Sequence, residues 1–217
     1  MVALYRKLST IAVPNVFPQK QGDPQVQPTQ IFVPFSQLQR QRLLEERLVS
    51  VLHGCTNLVQ IKQVHAHILR KGLDQCCYVL AKLIRVLAQL DVPVHTYPRL
   101  VFQQVNHPNP FVWTALIRGY AVQGPFSESV VLYNRMRREG TGPVSFTFSA
   151  LFKACGAVLD VDLGRQIHAQ TILIGGFGSD LHVGNTMIDM YVKCGFWIVG
   201  AKCLTKCLRG MWFLGPS

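Results

Sequence analysis

The chain has 217 residues, of which 49% are hydrophobic, and it carries a formal net charge of +11 at pH 7. This hydrophobic content excludes wholesale disorder, and the lack of any run of about 18 apolar residues argues against a membrane-spanning helix. The excess of basic residues indicates an anionic partner, either a polyanion or an acidic membrane surface, without distinguishing between them.

The first 44 residues differ in composition from the rest of the chain. They contain five basic residues, Asp23 as their only acid, and prolines at positions 14, 18, 24, 28 and 34. These prolines exclude a long helix beyond about the first dozen residues. A short basic segment before an extended linker is typical of an organellar transit peptide, and the alternative is an untargeted disordered tail. We therefore assign residues 1–44 to a transit peptide and a proline-rich linker.

From residue 45 onward, apolar residues recur at i, i+3, i+4 and i+7, which is the period of an amphipathic α-helix. The pattern predicts five pairs of helices, with glycine and proline at turns such as Gly124-Pro125. Ser127 is the expected N-cap of one second helix, whose last turn is basic. The predicted helices span 47–55 and 59–70, 78–89 and 99–105, 113–122 and the stretch between Ser127 and Gly140, 147–157 and 163–173, and 183–193 and 199–208.

The first helices of these pairs share one apolar pattern. The set Trp113, Leu116, Ile117 and Tyr120 recurs in full 35 residues later. Its last three positions recur at a further step of 36, and they are traced backwards at steps of 33 and then 32. The counterparts of Leu116 are Val51, Leu83, Leu151 and Met187. Such a period indicates a helical-repeat array, in which each unit buries its apolar face by stacking on its neighbours. We therefore predict an all-α solenoid with units at 45–76, 77–109, 110–144, 145–180 and 181–208.

The pattern stops after Arg209. Residues 209–217 are apolar and lack the polar cap that ends a finished solenoid, so we expect a fragment or an aberrant end of a longer array. The seven cysteines are odd in number and fall mostly within helical patterns, which predicts reduced thiols.

Four stretches carry a resemblance to a known family. They are FVWTALIRGY at 111–120, FTF at 146–148 leading to Lys153-Ala154-Cys155, GRQIHA at 164–169 and NTMIDMYVKCG at 185–195. These stretches resemble the plant pentatricopeptide repeat (PPR) family. The unequal unit lengths resemble its subclass in which standard, long and short repeats alternate (the PLS subclass), here truncated before any C-terminal editing domain. The resemblance covers residues 45–208.

This resemblance implies a right-handed superhelix that is lined by the first helices. Its partner would be single-stranded organellar RNA, read at about one base per repeat. The chain would support RNA processing or cytidine-to-uridine editing that a missing domain or a partner factor carries out. The implied location is the mitochondrion, with the chloroplast as the alternative, and neither a membrane nor a small-molecule substrate is implied as a partner.

In the family, two side chains per repeat read the edge of a base, one early in the first helix and one at the end of the unit. The early positions fall on Thr114, Ser149, Asn185 and Ala81, and the closing positions fall on Val144, Asp180 and Asn109. Hydroxyl and amide groups can donate and accept hydrogen bonds and so can distinguish base edges. Val144 and Ala81 cannot, and the family usually has an acidic or amide residue in the place of Val144.

Two further sets of residues follow from the same resemblance. Phe111, Phe146 and His182 occupy the places where the family wedges bases between repeats, and a stacked base contributes roughly 1–3 kcal/mol. The alternative role for these rings is packing between first helices. Arg118, Lys153 and Lys193 would attract phosphates independently of sequence, and the alternative is an ordinary solvated face.

Signals for catalysis are absent from the sequence. Some longer relatives in the family end in a deaminase-like domain, whose zinc chemistry needs a His-x-Glu pair and a Cys-x-x-Cys pair. Neither pair is present, and Cys203 with Cys207 alone is a weak metal signal. The sequence also has no phosphate-binding glycine loop with its lysine and no Gly-x-Ser-x-Gly elbow. We therefore predict no enzymatic activity, no cofactor and no metal.

Two other functions stay open. Tetratricopeptide arrays use a similar helical hairpin to hold peptides, so the chain could be a protein-protein interaction scaffold. It could also be a non-functional fragment. Small polar residues at one place per repeat favour RNA over a peptide groove, which would show amide and charged clusters throughout.

Overall fold

The structure is a computed structural model that describes residues 35–177 and 180–200. The predicted transit peptide up to residue 34, residues 201–208 of the last predicted helix and the apolar tail at 209–217 lie outside the described residues. The described residues from Leu43 onward belong to one compact unit, and residues 35–42 belong to another.

Nine α-helices with defined bounds follow one another in the described part of the chain, and residues 197–200 are also helical. No β-strand occurs among these residues. The helices are α1 (Phe35–His53), α2 (Leu58–Arg70), α3 (Cys77–Gln89), α4 (Tyr97–Gln103), α5 (Pro110–Gln123), α6 (Phe126–Arg138), α7 (Ser145–Val158), α8 (Val161–Leu173) and α9 (Leu181–Lys193).

The helix-turn-helix pairs stack in the order that the sequence predicts. α3, α5, α7 and α9, the first helices of their units, pack successively on one another. The second helices α4, α6 and α8 each pack on the first helix of their own unit and on the first helix of the next. The prediction of an all-α helical-repeat solenoid is therefore confirmed.

Two local predictions were wrong. α1 begins at Phe35, directly after Pro34 and well before the predicted start at residue 47. Residues 36–43 are exposed, and this part of the helix shows no apolar face that a period could reveal. Ser127 is not an N-cap either, because Pro125 takes that position without a side-chain cap and α6 begins at Phe126.

The repeated apolar pattern forms the core. Trp113, Tyr120 and Phe148 are fully buried, and Trp113 packs edge-on against Phe102 of α4, with ring centroids 4.7 Å apart. The guanidinium of Arg135 in α6 lies 5.5 Å from the Trp113 ring centroid, so one side chain joins three helices. Full burial of one such side chain contributes about 1.5–3 kcal/mol, so this cluster adds to the stability of the array.

Hydrogen bonds from side chains also join consecutive units. The Gln123 amide accepts from the Val94 N–H at 2.9 Å and donates to the Ala88 carbonyl at 3.1 Å. Both partners lie in the preceding unit, at the end of α3 and in the loop that follows it. One amide thereby satisfies the Ala88 carbonyl, which the end of α3 leaves without a partner in the helix, and a backbone N–H of the loop that follows.

Among the described residues, no helix combines the length and the apolar character that crossing a bilayer requires.

Replacement of Gly119 by alanine should destabilise the fold. A Cβ at this position would lie 2.9 Å from a methyl carbon of Val94, which is itself buried. We expect the clash to outweigh the gain in helix propensity of about 1 kcal/mol and to lower the free energy of unfolding by about 1–2 kcal/mol. Thermal unfolding followed by circular dichroism measures the change. Gly142→Ala is the control, because an added Cβ meets nothing within 4 Å there, and equal Tm values for the two variants would contradict the packing argument.

His65 should make the stability of the fold fall with acidification. Its ring is buried and its Nδ1 lies 2.6 Å from the Tyr97 hydroxyl, while Lys62 Nζ lies 5.6 Å from the Tyr97 ring centroid. Burial lowers the pKa of His65 below its ordinary value of 6.5. Between this lowered pKa and about pH 6.5, the unfolded chain binds more protons than the folded one, so stability is lost as the pH falls through that interval.

Urea unfolding at about pH 7.5 and about pH 5.5 tests this expectation. The variant His65→Gln keeps a hydrogen-bonding group but cannot titrate, so its stability should change less between the two pH values. His53→Gln, at an exposed position, is the matched control. An unchanged pH dependence in His65→Gln would rule out His65 as the source.

Candidate nucleic-acid interface

Two of the predicted base-edge residues are buried between first helices. Thr114 is 6% exposed, and its hydroxyl donates to the Pro110 carbonyl at 2.7 Å and lies 2.7 Å from the Thr147 hydroxyl of α7. Ser149 is 3% exposed, and its hydroxyl lies 3.1 Å from the Ser145 carbonyl and 3.5 Å from the His182 carbonyl. In both units the next first helix covers the hydroxyl.

Asn185 and Ala81 have other surroundings. Asn185 is exposed, and no hydrogen bond holds its amide among the described residues. It lies on α9, the last first helix that the structure describes. Ala81 is half-buried on α3 and offers only a methyl group. Of the four residues predicted to read bases early in a first helix, Asn185 is therefore the one with an exposed polar group.

The closing residues have a structural role that the sequence reasoning missed, because each is the N-cap of the following first helix. Asn109 Oδ1 accepts from the Phe111 and Val112 amides at 3.1 Å. Val144 holds the same position before α7 but has no side-chain acceptor, and there the Val144 N–H donates to Thr147 Oγ1 at 3.1 Å. An Asn or Asp directly before a helix was the signal that could have identified this role.

Asp180 is the most constrained of the closing residues. Its Oδ1 accepts from the amides of His182 and Val183 at 2.9 and 3.0 Å, and its Oδ2 accepts from the Ser145 hydroxyl at 2.6 Å. Partial burial alone would raise the pKa of the Asp180 carboxyl, but these hydrogen bonds outweigh burial and lower it. The carboxylate therefore stays ionised and acts only as an acceptor.

The predicted stacking rings lie at the start of the first helices. Phe111 and Phe146 are about half-exposed, and His182 is exposed. The structure brings Phe146 and His182 together, with ring centroids 5.1 Å apart and planes inclined by 61°. Phe146 and His182, from successive units, thus touch one another while both stay partly exposed to solvent.

The predicted phosphate-binding cations fall into two groups. Arg118 and Lys153 are exposed at equivalent positions of α5 and α7, and no ion pair engages either of them within the described residues. Lys193 instead forms an exposed ion pair with Asp189, with 2.7 Å between Nζ and Oδ2. Asp189 holds the position on α9 that Arg118 and Lys153 hold on their helices, so the basic row does not continue there.

One basic residue was missed at this surface. Arg85 on α3 stands 33 residues before Arg118, at the equivalent position, and it is half-buried. The 33-residue step between these units would have identified it. The basic row is defined from here on as Arg85, Arg118 and Lys153.

Within residues 35–177 and 180–200, no three His, Cys, Asp or Glu side chains lie close enough together to hold a metal ion. Burial raises the pKa of the Cys155 thiol well above its usual range, which makes this thiol a poor nucleophile and a poor metal ligand. Cys203 and Cys207 lie outside the described residues.

Comparison with known proteins places these helices in a family context. Residues 108–157, which include α5 to α7, match the model of the PPR repeat family. Pentatricopeptide repeat-containing protein At5g44230 of Arabidopsis thaliana is 58% identical over 161 residues, covering 74% of this chain and 24% of that protein. Pentatricopeptide repeat-containing protein At3g12770 from the same plant is 36% identical over 146 residues, covering 67% of this chain and 20% of that protein.

A third relative from Arabidopsis thaliana, a pentatricopeptide repeat-containing protein whose name ends in "chloroplastic", is 37% identical over 155 residues, covering 71% of this chain and 27% of that protein. The chain thus spans only about a quarter of the length of these relatives. The recurring helical pairs, the match over residues 108–157 and these similarities together identify the chain as homologous to plant pentatricopeptide repeat-containing proteins.

Proposed function

We propose that this chain binds single-stranded RNA along its first helices, at about one base per repeat. The observation that carries the proposal is the basic row, in which three consecutive first helices place a cation at the same position. Cations at regular spacing suit a backbone that carries one phosphate per nucleotide, and they provide attraction that does not depend on sequence. No acid pairs with the exposed members of the row within the described residues.

Base recognition would come from the open groups beside this row. The exposed amide of Asn185 can donate and accept hydrogen bonds, and the rings of Phe111, Phe146 and His182 present a solvent-facing side on which a base can stack. Thr114 and Ser149 would need to exchange a protein hydrogen bond for one to a base. Asn185 is therefore the base-edge residue on which we expect selectivity to depend most.

The proposal extends from RNA binding by this chain to the role of the whole protein. We infer that RNA binding supports RNA processing or cytidine-to-uridine editing, and that another domain or a partner factor carries out the chemistry. The unequal repeat lengths favour the subclass with standard, long and short repeats. The proposed location is the mitochondrion, with the chloroplast as the alternative because one relative is named chloroplastic.

Neutralising the exposed part of the basic row should weaken RNA binding. We expect Arg118→Gln with Lys153→Gln to lower the affinity of the full chain for a randomised single-stranded RNA pool roughly tenfold at low salt. The slope of log affinity against log salt should become shallower by about 1.4, since each single-strand phosphate contact contributes about 0.7. Fluorescence anisotropy over a salt series gives both quantities.

The matched control is Lys71→Gln with Arg138→Gln, which removes two exposed cations that lie outside the first helices and form no ion pair within the described residues. Equal losses in the two double variants would mean that only the net charge matters. A wild-type chain that fails to bind the pool at near-physiological salt would contradict the proposal and favour the scaffold function.

Replacement of Asn185 by alanine should change base preference at one position of the bound RNA. The variant loses an accessible donor and acceptor while the fold stays intact, since the side chain is exposed. Selection from the randomised pool followed by sequencing compares it with the wild type and with Asn134→Ala, which alters an amide on a second helix. Identical enriched sequences for all three proteins would exclude base reading by Asn185.

A further inference from the structure

A groove lies between α1 and α2, and no other part of the described chain covers it. It encloses about 420 Å³. Its lining consists of Leu44, Arg47, Leu48 and Val51 from α1 and Gln63, Val64, His67 and Arg70 from α2. Each helix contributes residues at a spacing of about one turn, so the groove runs along both helices.

The counterparts of the lining residues in later units show what packs against such a groove inside the array. Val51 is 54% exposed, whereas its counterparts Leu83, Leu116 and Leu151 are fully buried by neighbouring helices. On the second helix, the run from Val64 to His67 corresponds to the run from Ile167 to Gln170 in the fourth unit, and Ile167 is fully buried. The groove of the first unit is thus equivalent to a surface that is buried in the later units.

In the fourth unit the cover is a helix. The Gln170 side chain accepts hydrogen bonds from the Tyr133 hydroxyl at 2.5 Å and from Arg137 at 3.2 Å, and both donors belong to α6 of the preceding unit. α6 also packs on α7, so it lies against both helices of the unit that follows. His67 stands in the place of Gln170, which indicates that an α-helix fits the equivalent groove of the first unit.

The charge of the groove selects the kind of helix. Arg47, Arg70 and His67 line it, no acidic residue does, and neither arginine is ion-paired within the described residues. An apolar helix face flanked by carboxylates would bury the leucine and valine side chains and pair with the arginines. Residues 1–13 of this chain carry Arg6 and Lys7 and no acid, so they lack the complementary charge.

We propose that the groove between α1 and α2 binds an acidic amphipathic α-helix of a partner protein. The apolar lining favours a helix over RNA, because phosphates gain nothing from leucine and valine side chains. This surface is separate from the basic row and does not depend on the RNA-binding function.

A pair of probe peptides tests the proposal on the full chain. Both are labelled, end-capped helical peptides of about four turns with leucines along one face, and they differ only in having glutamate or lysine beside the leucines. Fluorescence anisotropy should show binding of the glutamate peptide at least about tenfold tighter than that of the lysine peptide. Equal affinities, or no binding of either peptide, would overturn the proposal.

Variants of the chain locate the site. Arg47→Glu with Arg70→Glu should reverse the preference, so that the lysine peptide binds and the glutamate peptide is lost. Val51→Asp, at an exposed position, should weaken the glutamate peptide at least about fivefold, and Arg138→Glu with Arg165→Glu should leave it unchanged. Circular dichroism checks that each variant is folded.

Two outcomes contradict the assignment even if the glutamate peptide binds. Binding that survives Arg47→Glu with Arg70→Glu would place the peptide elsewhere. A loss of single-stranded RNA affinity in the same double variant, as large as that expected for Arg118→Gln with Lys153→Gln, would make the groove part of the RNA surface instead.

Discussion

The burial of each first helix between its neighbours is the interaction on which the rest of the structure depends. α3, α5, α7 and α9 each present an apolar face that cannot be covered within their own unit, and first and second helices of neighbouring units cover it. Because each unit stabilises only its neighbours, stability accumulates along the array through contacts such as Trp113 between α4 and α6. This is why one substitution at a close approach, such as Gly119 against Val94, affects two units at once.

The same stacking decides which polar groups are exposed to solvent. Thr114 and Ser149 occupy equivalent positions with Asn185, and the following first helix covers both hydroxyls. No further first helix follows α9 within the described residues, and the Asn185 amide is exposed there. A hydroxyl that is one turn into a helix has a local alternative, the carbonyl four residues earlier, and both residues use it. Equivalent positions in a repeat are therefore chemically different according to what lies next to them.

The residues directly before the first helices are fixed by helix capping. Asn109 and Asp180 cap the following helix, and Asp180 is in addition fixed by the Ser145 hydroxyl. A carboxylate held by three donors has little freedom left, so it would present a fixed acceptor to any base beside it. Val144 provides no such group, and the first turn of α7 uses Thr147 in its place. The polar group directly before a first helix thus varies from unit to unit, while the packing of the helices stays constant.

The sequence by itself determined the helical pairs, their period and the apolar face of each first helix, because these follow from a local 3.6-residue pattern that each segment carries independently. The polar start of α1 escaped this reasoning because it has no apolar face. The Lys193–Asp189 pair, four residues apart on one helix, was within reach of the same local reasoning. Only the tertiary structure decided that Thr114 and Ser149 are covered, that Ser145 reaches Asp180, and that Val51 is left open. These features depend on how side chains of different units meet, which a hydrophobic period does not report.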